Sequence, residues 1–184
     1  IMKFLKLAEY FEKLEVTSKR LEMFDILSKL FKEVDPDEID KVVYIVEERV
    51  LPSFYGVEIG MSGKLLARAI ARANGVSVDK VEKQYKKSGD TGLTAEFFAK
   101  QRSIKLAKPK ALDVDEVYKH FYDIAKISGE GSIDKKVSLL TGVLSRAEPI
   151  EAKYIARFVT GSMRLGIGDP TIMEALSQAK LNER

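Results

Sequence analysis

The chain has 184 residues, of which 45% are hydrophobic and 32% are charged, with a formal net charge of +3 at pH 7. This balance supplies enough apolar material for a core and excludes an intrinsically disordered chain. The sequence has no cysteine, which excludes disulfides and thiolate zinc sites and favours a reducing, intracellular setting. No apolar run approaches the roughly 18 residues needed to cross a bilayer, so we expect a cytoplasmic protein without a membrane partner.

Apolar residues recur every three or four positions along most of the chain, which predicts amphipathic α-helices. Four such stripes begin, in chain order, at Leu21, Ile39, Val114 and Ile133. Asp35-Pro36 and Asp169-Pro170 each predict a helix start, with proline at the first helical position. Ser62 and Ser132 can cap two more helices. Because no stretch alternates clearly with a period of two, the predicted fold class is all-α.

The two parts of the chain look like related copies of one helical unit. A shift of 113 residues lays Pro36, at one predicted helix start, on Pro149 at another. Further along, the offset between the two copies decreases by five residues, and a shift of 108 aligns Ile59-Gly60 with Ile167-Gly168. We therefore predict a compact, pseudo-two-fold domain that arose by duplication.

The predicted halves are residues 1–106 and 107–184, separated by a loop around Pro109, and the second half looks truncated. Between Lys80 and Lys110 there are nine basic residues and three acidic ones, so this stretch carries +6 and the rest about −3. Such a basic segment indicates either an electrostatic footprint for a polyanion or a solvated connecting region. Charge alone leaves both interpretations open.

Loops that lead into predicted helices carry small residues, and most of them carry lysine or arginine as well. The four loops are Thr17–Arg20, Ser88–Gly92, Ser128–Lys136 and Gly161–Asp169. The first N–H groups of a helix lack acceptors and sit at the positive end of its dipole, so they favour anions such as phosphate. A glycine at one helix end is usually only a turn. Several such loops on a duplicated domain instead predict a surface that follows two phosphate chains, as along a minor groove.

Motifs for catalysis or metal binding are weak in this sequence. The segment Gly60–Leu65 looks like a phosphate-binding loop, but Leu65 stands where a magnesium-binding hydroxyl belongs and no strand precedes it. His120 is the single histidine, so neither a zinc site nor a serine–histidine–acid triad can be assembled around it. The acids Asp35, Asp37 and Glu38 are explained as helix caps. We predict no catalytic residue and no metal ligand.

Four stretches of the sequence resemble the N-terminal DNA-binding domain of archaeal and eukaryotic ATP-dependent DNA ligases. They are TSKRLEMFDIL from Thr17, GDTGLTAE from Gly89, SGEGSIDKK from Ser128, and EAKYIARFVTGSMRLGIGDPTIMEALSQA from Glu151. The resemblance runs from about Ala8 to Ala179. It implies an all-helical, pseudo-two-fold domain that lies across the minor groove of nicked double-stranded DNA and contacts phosphates and sugars without reading sequence.

The resemblance also implies which residues contact DNA, and these fall in the same four loops. They are Ser18 and Arg20, then Thr91 and Gly92, then Gly129, Gly131, Ser132, Lys135 and Lys136, and finally Arg164, Gly166 and Gly168. In archaeal relatives the segment joining the halves can hold a short peptide that docks on the sliding clamp. Gln101, Ser103 and Ile104 fall there, but the aromatic anchors are absent, and a basic linker is the competing interpretation.

The Lys-x-Asp-Gly motif that forms the lysine–AMP intermediate of this family is absent from the sequence. We therefore expect an N-terminal, non-catalytic piece of a ligase, associated with the nucleoid. The piece itself would need no cofactor, whereas the full enzyme would use ATP and magnesium to seal nicks in replication and repair. The alternative is an all-helical protein-interaction scaffold, which predicts an exposed apolar groove and little affinity for DNA.

Overall fold

The computed structural model describes residues 1–52, 55–103 and 110–181, and ten α-helices lie in these ranges. They are α1 (Phe4–Glu15), α2 (Arg20–Glu33), α3 (Ile39–Val46), α4 (Gly63–Asn74), α5 (Val78–Ser88), α6 (Thr91–Ser103), α7 (Val114–Lys126), α8 (Ser132–Leu144), α9 (Pro149–Val159) and α10 (Asp169–Leu181). The described residues contain no strand, only an isolated antiparallel bridge between Lys3 and Asp113. The predicted all-α class is confirmed. No helix in these ranges has the length and apolarity to cross a bilayer.

Side-chain caps start several helices where the sequence offers a short polar residue. The Ser62 hydroxyl accepts a hydrogen bond from the Leu65 N–H at 3.3 Å, as predicted for the start of α4. The Asp113 carboxylate accepts one from the Glu116 N–H at 2.8 Å at the start of α7. Each cap satisfies one of the N–H groups that a helix start leaves without a partner.

Two predicted helix starts are wrong in detail. The helix expected from Pro36 begins only at Ile39, because residues 35–38 form a turn closed by a hydrogen bond from the Glu38 N–H to the Asp35 carbonyl at 2.9 Å. Ser132 was expected to cap α8, but it is the first helical residue, and Gly131 takes the cap position with φ 73°. A left-handed backbone at that position suits glycine and disfavours serine.

Most predicted stripe residues face the core, but the first member of two stripes does not. Leu27, Leu30 and Phe31 of α2 are buried, whereas Leu21 is 79% exposed. Ile133, in the first turn of α8, is 53% exposed. Both lie at the beginning of a helix, where the chain has just left a surface loop and no neighbouring helix covers the side chain.

Helix α9 is the centre of the domain, since every residue from Glu151 to Val159 is buried. It packs against α6 and α1. Phe158 stacks on Phe121 of α7 with ring centroids 4.1 Å apart, and Tyr154 meets Phe11 of α1 at 5.3 Å. One hydrophobic cluster therefore draws on both predicted halves of the chain.

Helices also pair across the two predicted halves: α2 packs on α10, α4 on α8, α1 on α9 and α3 on α7. Part-way along the α4–α8 pair, the guanidinium of Arg68, in the middle of α4, meets Asp134, in the first turn of α8, at 2.9 Å. At its far end, Arg102 donates to both the Asn74 side chain and the Leu144 carbonyl. The two helices therefore run parallel, and their N-termini lie at the same end of the domain.

Candidate nucleic-acid interface

The second predicted loop, Ser88–Gly92, leads into α6 through a buried carboxylate. Asp90 accepts a hydrogen bond from the Leu93 N–H at 2.8 Å and so caps the helix. Its backbone carbonyl also accepts a hydrogen bond from the Thr94 hydroxyl at 2.7 Å. Thr91 and Gly92 thereby become the first two residues of α6, whose N–H groups have no acceptor within a helix.

Gly92 is buried, and its α-carbon faces helix α9. A β-carbon at this position would lie 2.6 Å from Nε of Arg157 and 2.7 Å from the Lys153 carbonyl oxygen. Glycine is thus required here for the close approach of two helices. This packing role was not anticipated from the sequence, and the predicted contact between Gly92 and DNA stays a prediction that concerns its backbone alone.

Three hydroxyl groups tie the second loop to the fourth. Thr91 Oγ1 lies 3.2 Å from Thr160 Oγ1 and 3.2 Å from Ser162 Oγ, and the last two oxygens are 2.9 Å apart. Thr160 directly follows the last residue of α9, so the start of α6 meets the end of α9. The two loops are neighbours although about 70 positions separate them, as the contact between residues 91 and 162 spans 71.

Arg164, in the fourth loop, has an exposed side chain on an unusual backbone. Its φ is 59°, a left-handed conformation uncommon outside glycine, and its side chain is 62% exposed. The guanidinium Nη1 lies 3.3 Å from Oδ2 of Asp90, which draws it toward the second loop. Gly166 and Gly168 are also exposed, and the Gly168 carbonyl accepts the Thr171 N–H at 3.1 Å in the first turn of α10.

In the first loop, Ser18 is exposed and Arg20 is the first residue of α2. The Arg20 guanidinium meets Glu174 of α10 at 3.1 Å, which brings the start of α2 beside the first half of α10. The Thr17 hydroxyl accepts the Lys19 N–H at 3.2 Å and donates to Glu22. This hydrogen bond, together with the charge of Lys19, lowers the pKa of the exposed Glu22 carboxyl.

The third loop surrounds the start of α8, where Gly129 and Gly131 are exposed and Ser132 is half-buried. Lys135 is exposed on the next turn of the helix, and Lys136 is half-buried. This loop therefore presents positive charge close to the free N–H groups of a helix start, a favourable setting for an anion.

The four loops lie at one end of the domain, where α2, α4, α6, α8 and α10 all begin. Direct contacts join the second and fourth loops, and the Arg20–Glu174 pair joins the first to α10. The Met61 N–H, just before α4, donates to the Val159 carbonyl at the end of α9 at 2.8 Å. The Arg68–Asp134 pair and the parallel packing of α4 and α8 bring the third loop to this end. We call this end of the domain the N-terminal face.

A buried arginine beneath the N-terminal face connects loops that the sequence treats separately. Arg157 of α9 donates from Nε and Nη2 to the two carboxylate oxygens of Asp90, at 3.2 and 3.0 Å. Its Nη1 lies 2.8 Å from Oε1 of Glu15, the last residue of α1. These two atoms form an ion pair, but their geometry is not that of a hydrogen bond. Glu15 also accepts the Tyr154 hydroxyl at 2.5 Å and pairs with Lys153 at 3.2 Å.

The charges of this cluster hold one another in the ionised form. Burial raises the pKa of both Asp90 and Glu15. For Asp90 the hydrogen bonds from Arg157 and the Leu93 N–H outweigh burial. For Glu15 the Tyr154 hydroxyl followed by Arg157 and Lys153 does, so that both pKa values lie below the ordinary range. Burial lowers the pKa of Arg157, and its two carboxylates more than reverse that effect. Sequence reasoning missed Glu15, Lys153 and Arg157. The available signal was a pair of cations, Lys153 and Arg157, four residues apart in a helix that is mostly apolar.

The predicted clamp-binding segment lies at the far end of α6. Gln101 is exposed, Ser103 ends the helix, and Ile104 lies outside the described residues, as does the predicted loop around Pro109. The proposed boundary between the halves, at residues 106 and 107, also falls there. In the basic stretch, Lys86 and Lys87 occupy the last turn of α5, next to the second loop.

An apolar cleft of about 480 Å³ opens between α4, α5 and α6 beside the N-terminal face. Leu66, Ile70 and Val81 form its floor, and Lys64 and Lys86 stand at its edge. The alternative function, a protein-interaction scaffold, predicts an exposed apolar groove, and this cleft supports it.

The family model described as "DNA ligase N terminus" matches residues 3–177. The chain belongs to this family. It is 44% identical over 183 residues to the "Probable DNA ligase" of Dictyoglomus thermophilum, covering 100% of this chain and 30% of that protein. It is 47% identical over 182 residues to the "DNA ligase" of Pyrobaculum calidifontis, covering 97% and 31%. The "DNA ligase" of Acidianus ambivalens is 44% identical over 185 residues, covering 96% and 31%.

The chain thus spans about three-tenths of the length of these relatives. Membership of the DNA ligase N-terminus family confirms the resemblance noted in the sequence, and the matched region includes all four loops. The relatives are enzymes by name, whereas the described residues of this chain contain no group of three or more histidine, aspartate or glutamate side chains placed to hold a metal ion.

Proposed function

We propose that this chain binds the sugar–phosphate backbone of double-stranded DNA across the minor groove, independently of sequence, as the N-terminal domain of an ATP-dependent DNA ligase. The observation that carries this proposal is the N-terminal face, at which five helices begin and the four predicted loops lie. Helix starts bind anions through free N–H groups and the helix dipole. The exposed cations Arg20, Lys135 and Arg164 add charge-assisted hydrogen bonds to phosphate.

The spread of the loops over one face supports contact with two phosphate chains. The first and fourth loops meet through α2 and α10, whereas the third lies at the start of α8 beside α4. Phosphate contacts of this kind fix position on a duplex without reading bases. Such a domain would hold a nicked duplex for the rest of the enzyme and supply no reacting group.

The nucleotide chemistry of the proposed full enzyme, which uses ATP and magnesium to seal nicks, would belong to residues outside this chain. The local geometry does not fit a nucleotide site: Gly63 begins α4 directly, the Ser62 hydroxyl is occupied as a helix cap, and Leu65 offers no ligand for magnesium. Docking of the Gln101–Ile104 segment on a sliding clamp is a separate proposal. It would be tested by clamp binding to the chain with and without Gln101→Ala.

The decisive experiment measures binding of the chain to a fluorescent 30-base-pair duplex, nicked and intact, between about 50 and 200 mM salt. We expect affinity to fall log-linearly with salt and to be equal for unrelated sequences, because cations at the face displace condensed counterions. A preference for the nicked duplex would connect the binding to ligation. No binding at the lowest salt would refute the proposal.

Arg164→Ala is the matching variant. Losing one phosphate contact should weaken binding to all sequences alike. It should also reduce the magnitude of the salt slope, which is the slope of log affinity against log salt concentration, by about 1. Arg72→Ala removes the same charge from the last turn of α4, at the opposite end of that helix, and should leave the slope unchanged. Equal slopes for both variants would remove Arg164 from the interface.

The second candidate function is a protein-interaction scaffold, which the apolar cleft between α4, α5 and α6 favours. It predicts that DNA affinity stays negligible while Tyr85→Ala, at an exposed residue that lines the cleft, weakens binding of a protein partner. The DNA proposal predicts that the same substitution has little effect on the salt slope.

A further inference from the structure

We propose that Arg157, with Glu15 and Asp90, is a positioning element that holds three of the four loops in the arrangement that binds DNA, without touching DNA itself. The inference rests on the proposed function. It assigns a role in binding to residues that lie beneath the N-terminal face, of which Arg157 and Asp90 are buried and Glu15 is half-buried.

The three residues lie next to three different loops. Glu15 is the last residue of α1, directly before the first loop, and Asp90 lies in the second and caps α6. Arg157 lies near the end of α9, which leads into the fourth. Its guanidinium is 2.8 Å from Glu15 and bonds both carboxylate oxygens of Asp90, so a single rigid group joins the three loops.

Asp90 extends the arrangement to the surface. The same Oδ2 that accepts from Arg157 lies 3.3 Å from Nη1 of the exposed Arg164. Asp90 therefore stands between a buried and an exposed guanidinium, and the buried one fixes the carboxylate toward which Arg164 points. A group that sets the position of a phosphate-binding side chain lowers the ordering cost of binding.

Burial excludes direct contact between Arg157 and a phosphate. Its side chain is only 4% exposed, and α6 covers it so closely that Gly92 has no space for a β-carbon. Stability alone also does not explain why charged residues occupy these positions, because buried ion pairs can often be replaced by apolar residues with no loss of stability. A geometric role in holding the loops accounts for charged groups at this position.

The experiment compares wild-type chain with the double variant Arg157→Met/Glu15→Gln, which removes one positive and one negative charge and leaves the net charge unchanged. The amide introduced by Glu15→Gln can still accept hydrogen bonds from Tyr154 and Lys153, and Asp90 keeps Arg164 and its cap. Binding to the 30-base-pair duplex is measured as a function of salt, well below the melting temperature of each variant. We expect affinity for DNA to fall by about tenfold at every salt concentration, with the salt slope unchanged. The reason is that the same phosphate contacts form, but the loops lose more conformational entropy when they become ordered on binding.

Arg102→Met is the matched control, since Arg102 is another largely buried arginine that ties helix ends together. It bonds the Asn74 side chain and the Leu144 and Ala147 carbonyls at the opposite end of α6. We expect it to lower the melting temperature but to leave DNA affinity within about twofold of wild type. If the double variant does not fold, Arg157→Lys serves instead: it keeps the charge, lacks the fork that reaches both carboxylates, and should show the same loss at an unchanged slope.

Each other outcome overturns the inference. A salt slope reduced by about 1 in the double variant would make Arg157 a phosphate contact. Affinity equal to wild type, or lowered as much by Arg102→Met, would make the cluster purely structural. If the wild-type chain does not bind duplex DNA at low salt, the proposed function is wrong and the inference loses its basis. If the wild type binds and the double variant binds equally well, only the inference is wrong.

Discussion

Two arginines seven positions apart in the chain differ in what they can do because they differ in burial. Arg157 is held by two carboxylates inside the domain, whereas Arg164 reaches solvent from a left-handed residue in the fourth loop. Both meet Asp90, which is therefore the link between the interior and the proposed interface. The buried guanidinium of Arg157 can therefore hold neighbouring loops in place, whereas the exposed guanidinium of Arg164 remains available to bind a ligand.

Gly92→Ala tests the packing role assigned to that glycine. The added β-carbon would lie 2.7 Å from the backbone oxygen of Lys153, which cannot move without shifting α9. We expect the free energy of unfolding to fall by about 1–3 kcal/mol, as for other overpacked sites, measured by urea denaturation.

Gly142→Ala is the control for this substitution, because Gly142 lies within α8 with open space around its α-carbon. Replacing an exposed helical glycine by alanine should raise stability by about 0.5–1 kcal/mol. If the two substitutions changed stability by the same amount and sign, close approach at Gly92 would not be the constraint described here.

At the scale of elements, the same local signal produced two different helix starts. Pro149 begins α9 as its first residue, whereas α3 begins three residues after Pro36. The difference lies in Glu38, which is buried and accepts the Met2 N–H at 2.9 Å. A contact with a segment 36 positions away therefore holds the Asp35–Glu38 turn and delays the helix.

The predicted duplication is supported by how the helices pair but stays a prediction. If α1–α4 correspond to α7–α10, then α2 on α10 mirrors α4 on α8, and α1 on α9 mirrors α3 on α7. Crossed pairing of this kind is what a two-fold relation would produce. In this arrangement α5 and α6 have no counterpart, and α6 is the helix that Asp90 caps and that contains Gly92. Superposing α1–α4 on α7–α10 would test the relation.

The start of α9 contributes a pH dependence of stability. Burial raises the pKa of Glu151 to about 7, although its carboxylate accepts the Glu148 N–H at 2.8 Å. In the unfolded chain the same carboxyl has the ordinary value of 4.5, so the folded state holds a proton that the unfolded state has lost. Stability should therefore fall as pH rises from about 4.5 to about 7, by roughly 3 kcal/mol in total.

Glu151→Gln keeps the oxygen that accepts the Glu148 N–H and removes the ionisation. We expect the variant to be more stable than wild type at pH 8 and equal to it near pH 4.5, measured by urea denaturation across this range. A variant that followed the wild-type pH curve at all points would show that another group is responsible.

At the scale of the whole molecule, a net charge of +3 is modest for a domain proposed to bind DNA, and its placement matters more than its size. Exposed Arg20, Lys135 and Arg164 lie at the N-terminal face, and Lys86 and Lys87 approach it from the end of α5. Acidic partners such as Glu174 and Asp134 stand at the same face. Binding should consequently be weak in high salt and strong only where phosphates are closely spaced.

Duplex DNA should raise the melting temperature of the chain, because a ligand that binds only the folded state stabilises it by mass action. At a duplex concentration of about 100 times the dissociation constant the stabilisation is about 2.7 kcal/mol, and it should disappear as salt is raised. Differential scanning fluorimetry with an equal concentration of single-stranded DNA is the comparison. A melting temperature unaffected by duplex at low salt would favour the scaffold alternative.

The sequence by itself determined the all-α class, some helix starts and the position of the four loops along the chain, because apolar periodicity, caps and glycine turns act over a few neighbouring residues. The tertiary structure alone decided which loops meet, which glycine is a packing requirement and which arginine is buried. The bonds from Arg157 to Asp90 span 67 positions, and the Tyr154–Glu15 bond spans 139. Contacts at such separations depend on how the helices of the described chain pack around α9, and no local pattern in the sequence encodes that packing.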